Sequence, residues 1–217
     1  NTIQGPWSFC QRCERGPSDY DIPHNLVINF QYDIPVLASV KSNKVANTLL
    51  GGWQMGGIYT RQTGGAYNVK ITTDQAFTGN AVASASSGGL RPNYLGNLPG
   101  CSPAEVTTGD ISHLIKTSCF AFPGPGVLGN LGRDLFRMPV FRNLDFSVFK
   151  NQNLRGEQLR IQFRAEMFNI LNNTNLTPQS FSNSFNSSGA LLGSFGTPTA
   201  PTYNQSRQIQ FGLRLLF

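Results

Sequence analysis

The sequence predicts an all-β fold of antiparallel transmembrane β-barrel strands joined by long extracellular loops. Three observations lead to this prediction. Apolar and polar residues alternate in five segments, and a period of two is the strand period because successive Cβ atoms point to opposite faces. Most charged residues of these segments fall on the polar parity, and long and short connections alternate between them. Because the smallest barrels have about eight strands, we expect a partial barrel, a fragment of a longer protein.

The composition narrows the class before any pattern is considered. Of the 217 residues, 39% are hydrophobic and 13% are charged, which is about half of the ~25% charged residues usual in soluble domains. The 23 glycines and 16 phenylalanines supply the turns and aromatic side chains typical of all-β proteins. No window of about 18 apolar residues exists, so no transmembrane helix is predicted. Two classes remain, a soluble all-β protein and a transmembrane β-barrel.

The alternating segments are predicted as strands at about 24–33, 53–71, 142–150, 158–168 and 207–217. In the last segment, one parity is predicted to face lipid and carries Ile209, Phe211, Leu213, Leu215 and Phe217. In the segment 158–168, Phe163 has the lipid-facing parity. The opposite parity of the two segments is predicted to face the lumen and carries Arg160, Gln162, Arg164, Glu166 and Arg214. In the segment 53–71, three aromatic residues are candidates for interfacial girdles or for plain packing, namely Trp53, Tyr59 and Tyr67.

Alternation alone does not distinguish a barrel from a soluble sandwich. The apolar face of a sandwich packs on a second sheet, whereas the apolar face of a barrel contacts lipid and its polar face lines the lumen. Strand length favours the membrane, as does the parity of the charges, since an Arg or Lys at the midplane costs about 2–4 kcal/mol. Arg61 and Lys150 break the parity, and both lie where a strand leaves the bilayer. The alternative is a soluble secreted β-sandwich, stapled by disulfides, that acts as a binding module.

The connections assign the two sides of the membrane. If the last strand runs inward, the long connections 72–141 and 169–206 are extracellular, and the connections 34–52 and 151–157 are periplasmic. The connection 34–52 is longer than a periplasmic turn usually is. The predicted organisation is therefore an extracellular loop segment at 1–23 that contains a CxxC motif, followed by barrel strands and loops at 24–217.

The four cysteines are candidates for disulfides in an oxidising compartment, and they are Cys10, Cys13, Cys101 and Cys119. A zinc site prefers two close pairs of ligands, and the second pair here is 18 residues apart. A CxxC redox site requires a strand–helix context that the surrounding sequence lacks. Pairing Cys10 with Cys13 and Cys101 with Cys119 is one of three possible connectivities.

No arrangement of catalytic or cofactor-binding residues emerges, so we expect neither an enzyme nor a cofactor or metal site. Ser112, His113 and Asp110 are too close in sequence to adopt triad geometry readily. The formal charge is +6, and seven of the 17 basic residues fall within Arg133–Arg164. Because no basic helix or aromatic–basic platform accompanies them, nucleic acid is not a predicted partner.

The predicted lumen-facing residues have two interpretations. They could form a wall that contacts a passing solute or another domain. Alternatively, they could form a ladder of cross-strand ion pairs and amide hydrogen bonds that stiffens the wall. The ladder is the interpretation that we favour. Ligand contacts are expected in the extracellular loops, because loops carry specificity and strands carry geometry.

A series of motifs runs in order along the chain. They are Asp21-Ile-Pro-His24, Tyr32-Asp-Ile-Pro35, Leu50-Gly-Gly-Trp53, Gln62-Thr-Gly-Gly65, Gly129-Asn-Leu-Gly-Arg133, Asp145-Phe-Ser-Val-Phe-Lys150, Phe163-Arg-Ala-Glu-Met-Phe-Asn-Ile-Leu-Asn172 and Arg207-Gln-Ile-Gln-Phe-Gly-Leu-Arg-Leu-Leu-Phe217. Together they resemble the C-terminal β-barrel region of TonB-dependent outer-membrane receptors, especially those of the carboxypeptidase-regulatory-like-domain type. The likeness covers most of Asp21–Phe217.

The resemblance implies a C-terminal fragment of a barrel of about 22 strands with an N-terminal plug. It also implies location in the bacterial outer membrane and uptake of a large solute, such as an oligosaccharide, a peptide or a metal chelate. The implied partners are outer-membrane lipid and lipopolysaccharide, the barrel assembly machinery, and TonB through an N-terminal part absent from this chain. The terminal aromatic residue, Phe217, would be the assembly signal.

Overall fold

A computed structural model describes residues 15–71, 73–77, 90–155, 159–177, 181, 184–198 and 206–217, with residues 154 and 155 described by their backbone alone. The chain divides into two compact units. We call one the sheet unit, within His24–Gln62, Phe141–Asn175 and Thr202–Phe217, and the other the loop unit, within Asn1–Pro23, Thr63–Val140 and Leu176–Pro201.

The described strands, in chain order, are β1 (Asn25–Asp33), β2 (Trp53–Gln62), β3 (Ala66–Tyr67), β4 (Asn93–Tyr94), β5 (Phe120–Ala121), β6 (Phe136–Arg137), β7 (Phe141–Arg155), β8 (Leu159–Phe168) and β9 (Gln208–Leu216). Two short helices, α1 (Ala38–Lys41) and α2 (Lys44–Leu50), lie between β1 and β2, and a 3-10 turn spans Thr117–Cys119. None of the helices in the described part of the chain is long and apolar enough to cross a membrane, a finding that does not bear on crossing by strands.

The sheet unit is one antiparallel sheet in the order β1-β2-β7-β8-β9. Its strands have nine to fifteen residues, which meets the length of about 9–11 residues that a tilted strand needs to cross a bilayer. The sheet is not closed, because β1 and β9 each pair with a single neighbour among the described strands. The regular secondary structure of the described residues is thus mostly strand, as predicted.

Four of the five predicted strands match the structure to within a few residues, with β7 extending further than the predicted 142–150. The strand predicted at 53–71 is wrong in its second half. It ends at Gln62, and Tyr67, Val69 and Ile71 are buried in the core of the loop unit. From Tyr67 to Ile71, buried positions alternate with half-buried ones, so the extended chain that enters this core also shows a period of two.

The long connection between β1 and β2 contains α1 and α2, which explains its length. Asn43 is the N-cap of α2, and its side-chain Oδ1 accepts hydrogen bonds from the backbone N–H groups of Val45 and Ala46. Such a cap satisfies donors that the first helical turn leaves unpaired. Gly51 and Gly52 follow α2, and Gly52 has a φ of +73° where its chain passes close to the Asn151 carbonyl. The chain therefore turns sharply into β2.

The loop unit has a hydrophobic core of its own, which the sequence did not predict. The core residues are Tyr67, Val69, Ile71, Leu90, Cys101, Val106, Leu114, Ile115, Cys119, Phe120, Leu131, Phe136, Met138, Phe181, Phe185 and Phe195. Two short ladders, β3 with β6 and β4 with β5, cross this unit. The connections predicted at 72–141 and 169–206 therefore supply much of a packed unit and are not simply solvated loops.

A disulfide joins Cys101 and Cys119, and both cysteines are nearly fully buried in the core of the loop unit. This bond agrees with one of the connectivities that the sequence allows. Cys10 and Cys13 lie outside the described residues.

Candidate functional site

The sheet unit has one predominantly polar face. The register places Gln162 opposite Arg214 and Glu166 opposite Gln210. It also places Arg160 opposite Asn153. The five residues predicted to face the lumen therefore share one face of the sheet, and they are Arg160, Gln162, Arg164, Glu166 and Arg214. Their role in lining a lumen stays a prediction.

Glu166 is the centre of the contacts on this face. Its Oε1 lies 2.6 Å from the guanidinium Nη2 of Arg164, and its Oε2 accepts a hydrogen bond of 2.7 Å from the side-chain amide of Gln210 on β9. The guanidinium of Arg164 lies over the ring of Phe149, 4.9 Å from the centroid. Sequence reasoning missed Phe149, although an aromatic residue on the polar parity of β7 was the available signal.

Two further cross-strand hydrogen bonds continue the pattern toward the β7–β8 turn. The side-chain amide of Gln162 donates to Asn151 at 2.9 Å, and the guanidinium of Arg160 donates to Asn153 at 3.0 Å. These contacts are those of the ladder interpretation, in which paired polar side chains stiffen the wall.

The polar face also forms a trough of about 520 Å³. Side chains from four strands line it, among them Gln31, Gln54, Ser147 and Glu166. The lining mixes amide, hydroxyl, carboxylate and guanidinium groups, so water or a polar solute can form hydrogen bonds along it. Within the described residues, no group of three or more His, Cys, Asp or Glu side chains could hold a metal ion.

The opposite face is apolar and exposed. Phe211 and Leu213 are 73% and 75% exposed, and Phe163 stacks on Phe211 with ring centroids 6.2 Å apart. Phe30 lies over Gly57, where a Cβ atom would come within 2.8 Å of its ring. The residues predicted to face lipid are all on this face, namely Phe163, Ile209, Phe211, Leu213 and Leu215, and Phe217 follows β9 fully exposed.

Cations on the apolar face of the five strands lie in two rows of the register, one near each end of β2. Arg61 and Arg142 lie opposite each other in the register of β2 and β7. At the other end, Lys150 lies opposite Trp53, with its ammonium 5.0 Å from the centroid of the indole ring. The Lys150 ammonium also donates to the backbone carbonyls of Leu49 and Gly51. Between these two rows the face carries no charge, and Lys150 itself lies opposite Phe163 in the middle of β8.

Of the three candidates for aromatic girdles, two lie on this face. Trp53 is in the row of Lys150, and Tyr59 is one row inside the arginine pair, so both occupy positions near the ends of the apolar band. Tyr67 does not, because it is 1% exposed in the core of the loop unit and its hydroxyl is 2.8 Å from that of Thr107.

A group of asparagines fixes the chain where β8 ends. Asn169 has a φ of +48°, a conformation that asparagine tolerates better than most residues. Its backbone N–H donates to the carboxylate of Asp145 at 2.9 Å, and its side chain exchanges hydrogen bonds with the backbone of Asn173. Asn175 then pairs with the backbone of Arg142. These contacts tie the end of β8 to the beginning of β7.

The loop unit contains a buried charge cluster. Arg133 contacts the carboxylates of Asp134 and Asp19 at 3.1 and 3.6 Å, and the side chain of Asp134 is 1% exposed. Burial, followed by the hydrogen bond with Asp19, raises the pKa of Asp134 to about 6. The same interaction, followed by the charge of Arg133, lowers the pKa of Asp19, so Asp134 is the carboxyl group of the two with the higher pKa.

Comparison with protein families settles the class of this two-faced sheet. A family model described as "Outer membrane beta barrel domain" matches residues 2–210. The chain belongs to this family. It is accordingly located in the bacterial outer membrane. This location argues against the soluble secreted sandwich. Searches of curated proteins and of solved structures gave no match.

Proposed function

We propose that this chain is part of an outer-membrane TonB-dependent transporter that takes up a large solute, such as an oligosaccharide, a peptide or a metal chelate, and that it has no enzymatic role. The observation that carries the proposal is the two-sided chemistry of the sheet. One face is apolar between the arginine pair and Lys150, while the other carries hydrogen-bonded polar side chains and a trough. A wall of this kind separates lipid from a water-filled interior.

Two features support a transporter larger than this sheet. The edges of β1 and β9 lack a second neighbour among the described strands, and a closed barrel leaves no such edges. The connections between β2 and β7 and between β8 and β9 contribute to a unit with a disulfide and a packed core. A folded loop unit of this size offers a surface on which a solute can be selected for transport.

The TonB requirement rests on the order of the motifs, from Asp21-Ile-Pro-His24 to the closing strand. The further partners in this proposal are outer-membrane lipid and lipopolysaccharide, the barrel assembly machinery through Phe217, and TonB through a part of the protein outside this chain. In the orientation that we propose, the long connections are extracellular and α1 and α2 are periplasmic.

Uptake measurements test the proposal. Cells with and without the gene receive one labelled oligosaccharide mixture, one peptide mixture and one ferric chelate mixture, each with TonB present or inactivated. We expect at least one class of solute to enter only when both the protein and TonB are present. Uptake that needs the protein but not TonB would indicate a passive channel and contradict the TonB requirement. If no class depends on the protein, the transport proposal is wrong.

A further inference from the structure

We infer that Arg61 and Arg142 form a phosphate-binding site for lipopolysaccharide on the lipid-facing side of the sheet. The inference rests on the outer-membrane location and on the orientation in the proposed function, with the long connections outside. It does not require that the protein transports a solute.

The first argument is geometric. Arg61 is the second-last residue of β2, Arg142 is the second residue of β7, and the two are directly opposite in the antiparallel register. Opposite residues in a sheet project from the same face with Cβ atoms about 4.5–5.5 Å apart. Both side chains are exposed. Two guanidinium groups can therefore reach one anion from the same surface.

The second argument is electrostatic. Like charges directly opposite each other destabilise a sheet, and no acidic residue in the five strands shares the face of these arginines. In the part of the chain that the structure describes, neither guanidinium has an ion-pair partner. An anion between the two arginines would remove the repulsion. Phosphate fits best, because the planar fork of arginine binds two of its oxygens at once.

The third argument concerns depth. Arg142 and Lys150 are on the same face of β7, and the eight residue-to-residue steps from one to the other span about 26 Å along the strand at ~3.3 Å per residue. At a tilt of about 40°, this length corresponds to roughly 20 Å along the bilayer normal, close to the apolar band of about 25 Å in such barrels. The arginine pair thus lies at the outer boundary, where the phosphate groups of lipopolysaccharide are.

The cation at the opposite boundary behaves differently. Lys150 donates to the carbonyls of Leu49 and Gly51 and lies over the ring of Trp53, so its charge is satisfied by the protein. In Arg142, in contrast, the backbone N–H and carbonyl both pair with the side chain of Asn175, and the side chain is exposed. A fixed backbone with an exposed charged group is what a preorganised binding site needs.

Binding of lipopolysaccharide to the intact protein in detergent micelles tests the inference. The double variant Arg61→Gln/Arg142→Gln is compared with Lys150→Gln, a cation on the same face at the other end, and Arg160→Gln, a cation on the polar face. We expect the double variant to bind at least tenfold more weakly, since one hydrogen bond to a charged group contributes about 1.5–3 kcal/mol. Both control variants should bind as the unaltered protein does.

Three ligands separate the possible sources of phosphate. Dephosphorylated lipopolysaccharide should bind the unaltered protein as weakly as intact lipopolysaccharide binds the double variant. Phosphatidylglycerol and inorganic phosphate should not displace lipopolysaccharide at comparable concentrations. Equal binding of intact lipopolysaccharide by the double variant, or displacement by either competitor, would overturn the inference.

A further variant guards against a failure of assembly. If the double variant does not reach the outer membrane, Arg61→Lys/Arg142→Lys keeps both charges but loses the forked geometry. We expect this pair to assemble and to bind lipopolysaccharide several-fold more weakly than the unaltered protein. Unchanged binding by the lysine pair would contradict the site. Because binding is measured on purified protein, its outcome is independent of the uptake measurements.

Discussion

The side chain of Asn175 pairs with both backbone groups of Arg142, accepting from its N–H and donating to its carbonyl, each at 2.8 Å. Asn175 is 4% exposed. The pairing extends the edge of β7 with a side chain in place of another strand, at a position beyond the last residue of β8. It therefore satisfies buried backbone groups that would otherwise have no partner in the sheet.

We predict that Asn175→Ala destabilises the sheet unit by about 1–3 kcal/mol, because it removes both hydrogen bonds. The Arg142 N–H loses this acceptor, and the Arg142 carbonyl keeps the longer, 3.3 Å hydrogen bond from the Asn173 side chain. Asn175→Asp keeps an acceptor for the N–H but turns a carboxylate oxygen toward the Arg142 carbonyl at a buried position, so it should destabilise at least as much. Denaturant unfolding of the protein in detergent measures the difference, with the exposed Asn25→Ala as a control. Equal stability of the Asn175→Ala and Asn25→Ala variants would contradict the structural role of Asn175.

A charge on the apolar face should prevent assembly. We predict that Phe211→Arg loses outer-membrane assembly, because an arginine within the apolar band costs about 2–4 kcal/mol near the midplane. The neighbouring Gln210→Arg is a matched control, since it points to the polar face and can still donate to Glu166. The measurement is the amount of each variant that is recovered in outer-membrane fractions. Assembly of both variants to the same level would show that the apolar face does not contact lipid.

The alternation of residues predicted most of the sheet unit because parity is a local property. Each strand carries its own pattern, and the register then brings the patterns together, as for Gln162 opposite Arg214. The same logic failed beyond Gln62. A period of two indicates that the two sides of an extended chain differ. It does not indicate whether the apolar side contacts lipid or a protein core, and Val69 and Ile71 pack in a protein core.

The core of the loop unit could not be predicted from local pattern. It joins residues far apart in sequence, such as Val69, Val106, Phe136 and Phe195, none of which lies in a regular strand longer than two residues. Hydrogen bonds between side chains and distant backbone groups take the place of regular ladders. The side-chain oxygen of Asn68, for example, accepts from the backbone N–H of Asp134. A local pattern does not identify the packing partners of such residues, and only their long-range contacts reveal them.

The salt bridge on the polar face should contribute little to stability. We predict that Glu166→Gln changes the free energy of unfolding by less than about 1 kcal/mol, because the Arg164 side chain is 51% exposed and exposed ion pairs contribute about 0–1 kcal/mol. Glu166→Leu removes the acceptor for Gln210 as well and should have the larger effect. Denaturant unfolding compares the two variants. A large loss in Glu166→Gln would indicate that the ion pair stabilises the wall.

The disulfide should stabilise the loop unit. We predict that replacing Cys101 and Cys119 together by serine destabilises this unit by about 3 kcal/mol, since the bond closes a loop of 18 residues and thereby restricts the unfolded chain. Limited proteolysis should then cleave within 90–140 at lower protease concentration, while the sheet unit stays resistant. The single variant Cys101→Ser should be at least as sensitive. Unchanged cleavage of the double variant would contradict this role.

The raised pKa of the buried Asp134 should make the stability of the loop unit depend on pH. Burial raises the pKa of Asp134 to about 6, so between pH of about 4 and about 6 the folded state retains a proton that an unfolded aspartate has lost. Stability of the loop unit should therefore fall as pH rises through this window, by at most about 3 kcal/mol, and level off above it. The lowered pKa of Asp19 acts in the opposite direction, but only below the ordinary aspartate range. Proteolytic resistance at pH 4.5 and 6.5 measures the effect, which Asp134→Asn should abolish; an undiminished slope in that variant would assign it to another group.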